Sequence, residues 1–150
     1  MATSNYKQLR VWQNGMELVR RVYRLTRGFP RHEVFGLSSQ VQRAAVSVPA
    51  NIAEGHTRGT TKEFLRYVTI AHGSLAELET MFMAARDLQY IDAQSFDQLA
   101  DLCDATGKML GALRRALVKK LRSQKDHNTD TRNPQIPKSP NPPCRPPKNI

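Results

Sequence analysis

Cysteine is scarce in this chain. Cys103 and Cys144 are its only two in 150 residues, too few for a disulfide framework. One falls in a helical pattern and the other in a proline-rich tail, a usage that suits a reduced cytoplasmic protein. No apolar run approaches the length of about 18 residues that a membrane-spanning helix needs. The opening MATSNYKQLR has no apolar h-region, so no secretory signal is expected. No stretch alternates with period two over a useful length, which argues against a sheet. Proline is rare outside one region, since seven of the nine lie between Pro134 and Pro147.

The chemistry of the common helical enzymes is also missing. A carboxylate-bridged di-metal bundle needs Glu-x-x-His pairs, which put both ligands on one helical face. No glutamate here has a histidine three residues later. His32, His56, His72 and His127 have no ligand-like spacing with one another or with the cysteines, so each reads as a surface or capping residue. The stretch Gly55-His56-Thr57-Arg58-Gly59-Thr60-Thr61-Lys62 faintly resembles a phosphate-binding loop. Its glycine spacing is one short, its lysine is displaced, and no strand precedes it. No Ser/His/Asp or Cys/His arrangement stands out. The expectation is a protein that is not an enzyme and needs no metal or cofactor.

What is present is helical periodicity and positive charge. A first helix is expected from about Leu9 to Arg27, ending at Gly28-Phe29-Pro30. It carries two apolar seams, Leu9/Trp12/Met16/Val19/Tyr23 and Val11/Leu18/Val22/Leu25, about 120° apart. Two seams suggest contact with a second surface, such as another subunit. A second helix spans about Leu37 to Glu54, with Gly55 placed as its C′ residue and Pro49 as an internal kink. A third begins at Thr60, where Glu63 completes a capping box, and runs to about Leu88. Asp92 caps a fourth after a turn so short that helices three and four must be antiparallel neighbours. Its seam is Phe96, Leu99, Cys103, Leu110, Leu113, Leu117 and Leu121. The fold class is therefore all-α, an antiparallel up-down four-helix bundle over residues 1–122. Residues 123–150 read as a disordered, basic, proline-rich tail.

Charge points toward partners. The net charge is +10, and residues 1–122 alone hold 18 Lys and Arg against 11 Asp and Glu. A folded part that is basic in its own right suits polyanions, RNA or DNA before membrane. On helix one, Arg10, Arg20, Arg21, Arg24 and Arg27 project into an arc of about 120°, with Glu17 as the only acid among them and Arg31 just beyond the helix end. Guanidinium groups suit bidentate phosphate contacts. Arg114, Arg115, Lys119, Lys120 and Arg122 crowd the end of helix four. Helix-dipole complementation accounts for part of that run. Helix two carries a polar row, Gln40, Arg43, Ser47, Asn51, Glu54 and Arg58, spaced three or four apart. A buried hydrogen-bond network between helices or subunits explains the row better than a ligand groove does.

Three segments carry a family resemblance. Tyr6–Gln13, Gly36–Gly55 and Gly73–Thr80 resemble the four-helix-bundle proteins encoded in intervening sequences of bacterial large-subunit ribosomal RNA, over about residues 6 to 120. The resemblance implies a non-enzymatic basic bundle assembling as a homopentamer. It extends to accessory variability proteins of diversity-generating retroelements, which bind nucleic acid and partner a reverse transcriptase. The functional expectation is a cytoplasmic, oligomeric nucleic-acid-binding scaffold. The rival is a protein–protein adaptor docking an acidic partner without touching nucleic acid.

Overall fold

The computed structural model describes residues 5–130, with side chains through residue 127. Expectations for the proline-rich segment 131–150 lie outside the described residues. Four α-helices fill most of the described residues: α1 (Arg10–Thr26), α2 (Leu37–Thr57), α3 (Thr61–Asp87) and α4 (Ala93–Asp130). Short 3-10 turns at Tyr6–Gln8 and Arg31–Glu33 precede α1 and α2. The helices pack in a ring, α1 on α2, α2 on α3, α3 on α4, and α4 more thinly back on α1. Among the described residues there is no strand, and no helix is long and apolar enough to cross a membrane.

Local sequence explains where the helices start. The Thr60 hydroxyl accepts from Glu63 N–H at 3.2 Å, and the Asp92 carboxylate from Ser95 N–H at 2.7 Å. Both supply acceptors to first-turn amides that have no partner inside the helix. At α2 the same task falls to Glu33, whose carboxylate accepts from Leu37 N–H at 2.8 Å. The α3–α4 turn closes with Gln89 at φ 60 and Tyr90 N–H donating to Ala85 C=O at 2.8 Å, a left-handed stop like that usually built with glycine.

The core runs the length of the ring. Leu18 and Val22 of α1, Val41, Val48 and Ile52 of α2, Val68, Leu78 and Phe82 of α3, and Leu110 of α4 are almost fully buried. Burying a side chain of this size is worth about 1.5–3 kcal/mol. Of the two α1 seams, the one through Val11, Leu18 and Val22, joined by Gly15 and Thr26, faces this core. The seam through Trp12, Met16 and Val19 is only half-buried, and Tyr23 is 46% exposed.

Two expectations need correction. Gly55 does not end α2; the helix passes through it to Thr57. A Cβ at Gly55 would sit 2.5 Å from Tyr67 Cβ, so the residue is glycine because α3 presses against it. Helix α4 continues to Asp130, beyond the expected end at Arg122. Pro49 lies inside α2 as expected, and its ring fills the hollow at Gly15, about where a side chain there would begin.

The register places the ends. Gly15 lies against Pro49, Thr26 pairs with Gln42, Ser47 with Ser74, and Asn14 with Met109. Neighbouring helices are therefore antiparallel all round. By the Asn14–Met109 register, Arg10 at the start of α1 falls level with Leu113. Past that level α4 has α3 beside it but no α1.

Candidate nucleic-acid interface

Two basic surfaces emerge, at opposite ends of the bundle. Arg21 and Arg24 border a hollow with Ser95, Gln98 and Leu99, beside the start of α4. Arg114 lies fifteen residues past Leu99, about 22 Å along the helix. The structure thus does not merge Arg20, Arg21, Arg24 and Arg27 with the α4 cations; Arg10, level with Leu113, is the α1 arginine at the α4 cations' end. Arg10 stands apart from Arg20, Arg21, Arg24 and Arg27 as well, ten or more residues earlier on the same helix. Arg31 is exposed on its short 3-10 turn.

On α1 the charge is partly answered. Glu17 accepts from Arg21 Nε at 2.9 Å and from Arg20 Nε at 3.0 Å. Those hydrogen bonds, Arg21's first, hold the Glu17 carboxyl below the usual carboxylate range. A phosphate approaching these two arginines must compete with a resident carboxylate. Arg10, Arg24, Arg27 and Arg31 are exposed and make no ion pair among the described residues.

On α4 the charge is unanswered. Arg114, Arg115, Lys119, Lys120 and Arg122 are all exposed, and none makes an ion pair among the described residues. Arg114, Arg115, Lys119 and Arg122 line a trough of about 610 Å³ between α3 and α4, together with His72, Gly111 and Val118. Toward the α3 N-terminus it continues past Lys62, Leu65 and Leu121 to Lys125. Toward the bundle centre it continues past Gly107 and the Lys108–Asp104 pair. Lys120 does not share it, lying about 140° round the helix from Arg115.

Sequence reasoning missed four contributors to this trough. Lys62 and His72 come from α3, and only the antiparallel register brings them beside the α4 cations. Gly107 and Gly111 remove side chains from one wall. A Cβ at Gly111 would meet nothing closer than the mobile Arg115 guanidinium at 3.4 Å, and one at Gly107 only Leu75 at 3.5 Å. Their four-residue spacing on the Arg115 face was readable in the sequence, though its meaning was not.

The polar row of α2 divides. Ser47 and Ser74 hydroxyls lie 2.8 Å apart, and Asn51 Nδ2 donates to Ser47 Oγ at 2.9 Å. Glu54 accepts from Arg58 at 2.7 Å and from Tyr67 Oη at 2.9 Å. Ser47, Glu54 and Arg58 thus tie the α2 side to α3 through Ser74 and Tyr67, and Asn51 braces Ser47 from the same helix. Gln40 and Arg43 are exposed and make no side-chain hydrogen bond among the described residues. Cys103 is fully buried, and desolvation pushes its thiol up to about 12, which leaves no nucleophilic thiolate near neutrality. Among the described residues no three His, Cys, Asp or Glu side chains are grouped to hold a metal.

An antiparallel four-helix bundle with a surplus of unpaired surface cations is the class of protein these observations define. Over residues 7–112 the chain matches the 23S rRNA-intervening sequence proteins, and it belongs to that family. A crystal structure of a protein of unknown function from the S23 ribosomal protein family of Bacteroides thetaiotaomicron superposes with a TM-score of 0.65 at 21% identity, covering 69% of this chain and 97% of that one. At that identity the likeness concerns the fold. No curated protein matches the chain.

Proposed function

We propose that this protein is a non-catalytic, basic, oligomeric scaffold that binds RNA or DNA through phosphate contacts, working in the cytoplasm. The observation that carries the reading is the run of five exposed α4 cations without ion-pair partners, reinforced by the open arginines of α1. A bundle using these charges only for solubility would interleave both signs. Self-association is supported by apolar surface that the monomer leaves uncovered. Phe35 is 97% exposed, Val34 53% and Val46 41%, in addition to Tyr23. The family resemblance favours a pentamer, with either a ribosomal-RNA intervening sequence or a retroelement reverse transcriptase as the setting.

Binding is expected to be sequence-tolerant and steeply salt-dependent, since each phosphate contact releases counterions. Fluorescence anisotropy with labelled RNA and DNA across a salt series measures this directly. Changing Arg20, Arg24 and Arg27 together to Glu should lower affinity at least tenfold while size-exclusion elution stays unchanged. No binding of either nucleic acid at low salt would sink direct contact and leave the adaptor reading, an acidic protein partner on the same surface.

A further inference from the structure

We propose that the α3–α4 trough is the seat of a single nucleic-acid strand, its phosphates tracked by Lys62, Arg114, Arg115, Lys119 and Arg122. The inference rests on the nucleic-acid reading above and goes beyond it in naming the seat and the strandedness. Four of these cations lie past residue 112, where the family match ends, so the trough is a feature of this chain rather than one carried by the family match.

Shape comes first. Packed helices have axes about 8–10 Å apart, and the furrow between them admits one chain, whereas a duplex would rest on its rims. Gly107 and Gly111 deepen this furrow where ordinary residues would fill it: a Cβ at Gly111 would meet only the flexible Arg115 guanidinium at 3.4 Å, and one at Gly107 would make ordinary contact with the buried Leu75 at 3.5 Å. Chemistry follows the shape. Arg115 to Lys119 and Lys119 to Arg122 are steps of about 6 and about 4.5 Å along the helix, a spacing that neighbouring phosphates of an extended strand can meet through long side chains. Between the cations the floor is apolar, formed by Leu65, Val118 and Leu121, against which sugars can lie. No Phe, Tyr or Trp lines the trough, and the His72 imidazole is the one ring among its lining residues. Base stacking is therefore confined to His72, and recognition is chiefly of the backbone.

The position has a structural origin. Past the level of Leu113, α4 has lost its α1 neighbour, so its cations meet solvent rather than a packed flank. No Asp or Glu is among the residues lining this stretch of trough, and toward the bundle centre Asp104 is occupied by Lys108 at 2.5 Å, with Glu79 on the facing helix. The salt response of such a track is calculable. Five phosphate contacts to a single strand give a slope of log K against log salt of about −3.5.

The test is anisotropy of the full chain with labelled oligouridylate of about 12 nucleotides, within the usual range of single-strand site sizes. Gly111→Leu keeps every charge and places a side chain in the furrow; its affinity should fall at least tenfold, with the circular dichroism melt retained. Arg115→Gln with Arg122→Gln should cost at least tenfold and flatten the slope by about 1.4. The matched pair Arg24→Gln with Arg27→Gln should cost less. The inference is overturned, and the broader reading kept, if Gly111→Leu binds like the wild type or the α1 pair costs more than the α4 pair. It is overturned equally if a duplex of the same length binds tighter than the single strand and ignores Gly111→Leu. A wild type that binds no oligonucleotide at low salt overturns both readings together.

Discussion

Helix α3 has two flanks, and they are built on opposite terms. Toward α2 it is pressed close: Tyr67 and Phe64 occupy the space where Gly55 lacks a side chain, and the Ser47 and Ser74 hydroxyls bond across the seam, with Asn51 donating to Ser47 from within α2. Charges there are answered in place, Arg58 by Glu54 and Arg66 by Glu63. Toward the second half of α4 the glycines meet nothing closer than Leu75 and the Arg115 guanidinium, and the cations from Arg114 to Arg122 make no ion pair among the described residues. A glycine within a helix can mean that a neighbour has moved in or that room has been left. The α2 flank supplies stability, and the α4 flank keeps surface available for a partner.

The largest expected effect separates those two meanings. Gly55→Val would force its Cβ to within 2.5 Å of Tyr67 Cβ and 3.2 Å of Phe64 Cδ2. Backbone shifts would be needed on a seam with no slack, and a loss of about 3–5 kcal/mol is expected by urea denaturation. A loss under about 1 kcal/mol would mean the flank is looser than its distances imply. Next in size is the hydroxyl pair. Ser47→Ala and Ser74→Ala, singly and together, should show a coupling of about 1 kcal/mol in a double-mutant cycle. Zero coupling would mean that these polar groups do not tie the helices, and the polar row would become a candidate ligand groove again.

Much of this contrast was hidden in the sequence, for reasons that particular residues make plain. Helix existence was legible, because Thr60, Asp92 and the apolar spacing act within one segment. So was the bundle, since the short turn before Asp92 obliges helices three and four to be antiparallel neighbours. The two seams of α1 were visible as well, but periodicity cannot say which meets the core. That depended on Gly15 receiving Pro49, a contact between residues 34 positions apart. Gly55 was read as a stop because a helical glycine near a turn usually is one, and the reason it is not lies in Tyr67 on another helix. The arginine arc of α1 was legible as helical spacing, but the pairing of Arg20 and Arg21 with Glu17 was not. The α4 run was legible only as charge. Its trough needed Lys62, His72 and the two glycines, which belong together only after the register of α3 and α4 is known.

A smaller effect of opposite sign tests the open flank. Gly111→Ala adds a methyl where only the Arg115 guanidinium lies near, at 3.4 Å. Alanine in a helix interior is favoured over glycine by about 0.5–1 kcal/mol. The midpoint of chemical denaturation should therefore rise, in contrast to the collapse expected at Gly55. If Gly111→Ala is destabilising, the furrow is filled in solution, and the comparison between the flanks loses its basis.

The smallest effect concerns the α1 surface and sharpens which cations are available. Glu17 is partly exposed, as are its partners Arg20 and Arg21, so the ion pairs contribute only a few tenths of a kcal/mol to stability. Because the folded carboxyl titrates lower than an ordinary one, that contribution is complete above the unfolded-state pKa. It disappears as pH falls through the lowered folded value. Glu17→Gln should thus lower the melting temperature slightly at neutral pH and match the wild type in strong acid. Its effect on binding is more informative than its effect on stability. Releasing Arg20 and Arg21 should raise affinity for a polyanion if α1 supplies the contacts that limit binding. It should leave the affinity for oligouridylate nearly unchanged if the strand is seated between α3 and α4, where no carboxylate has to be displaced.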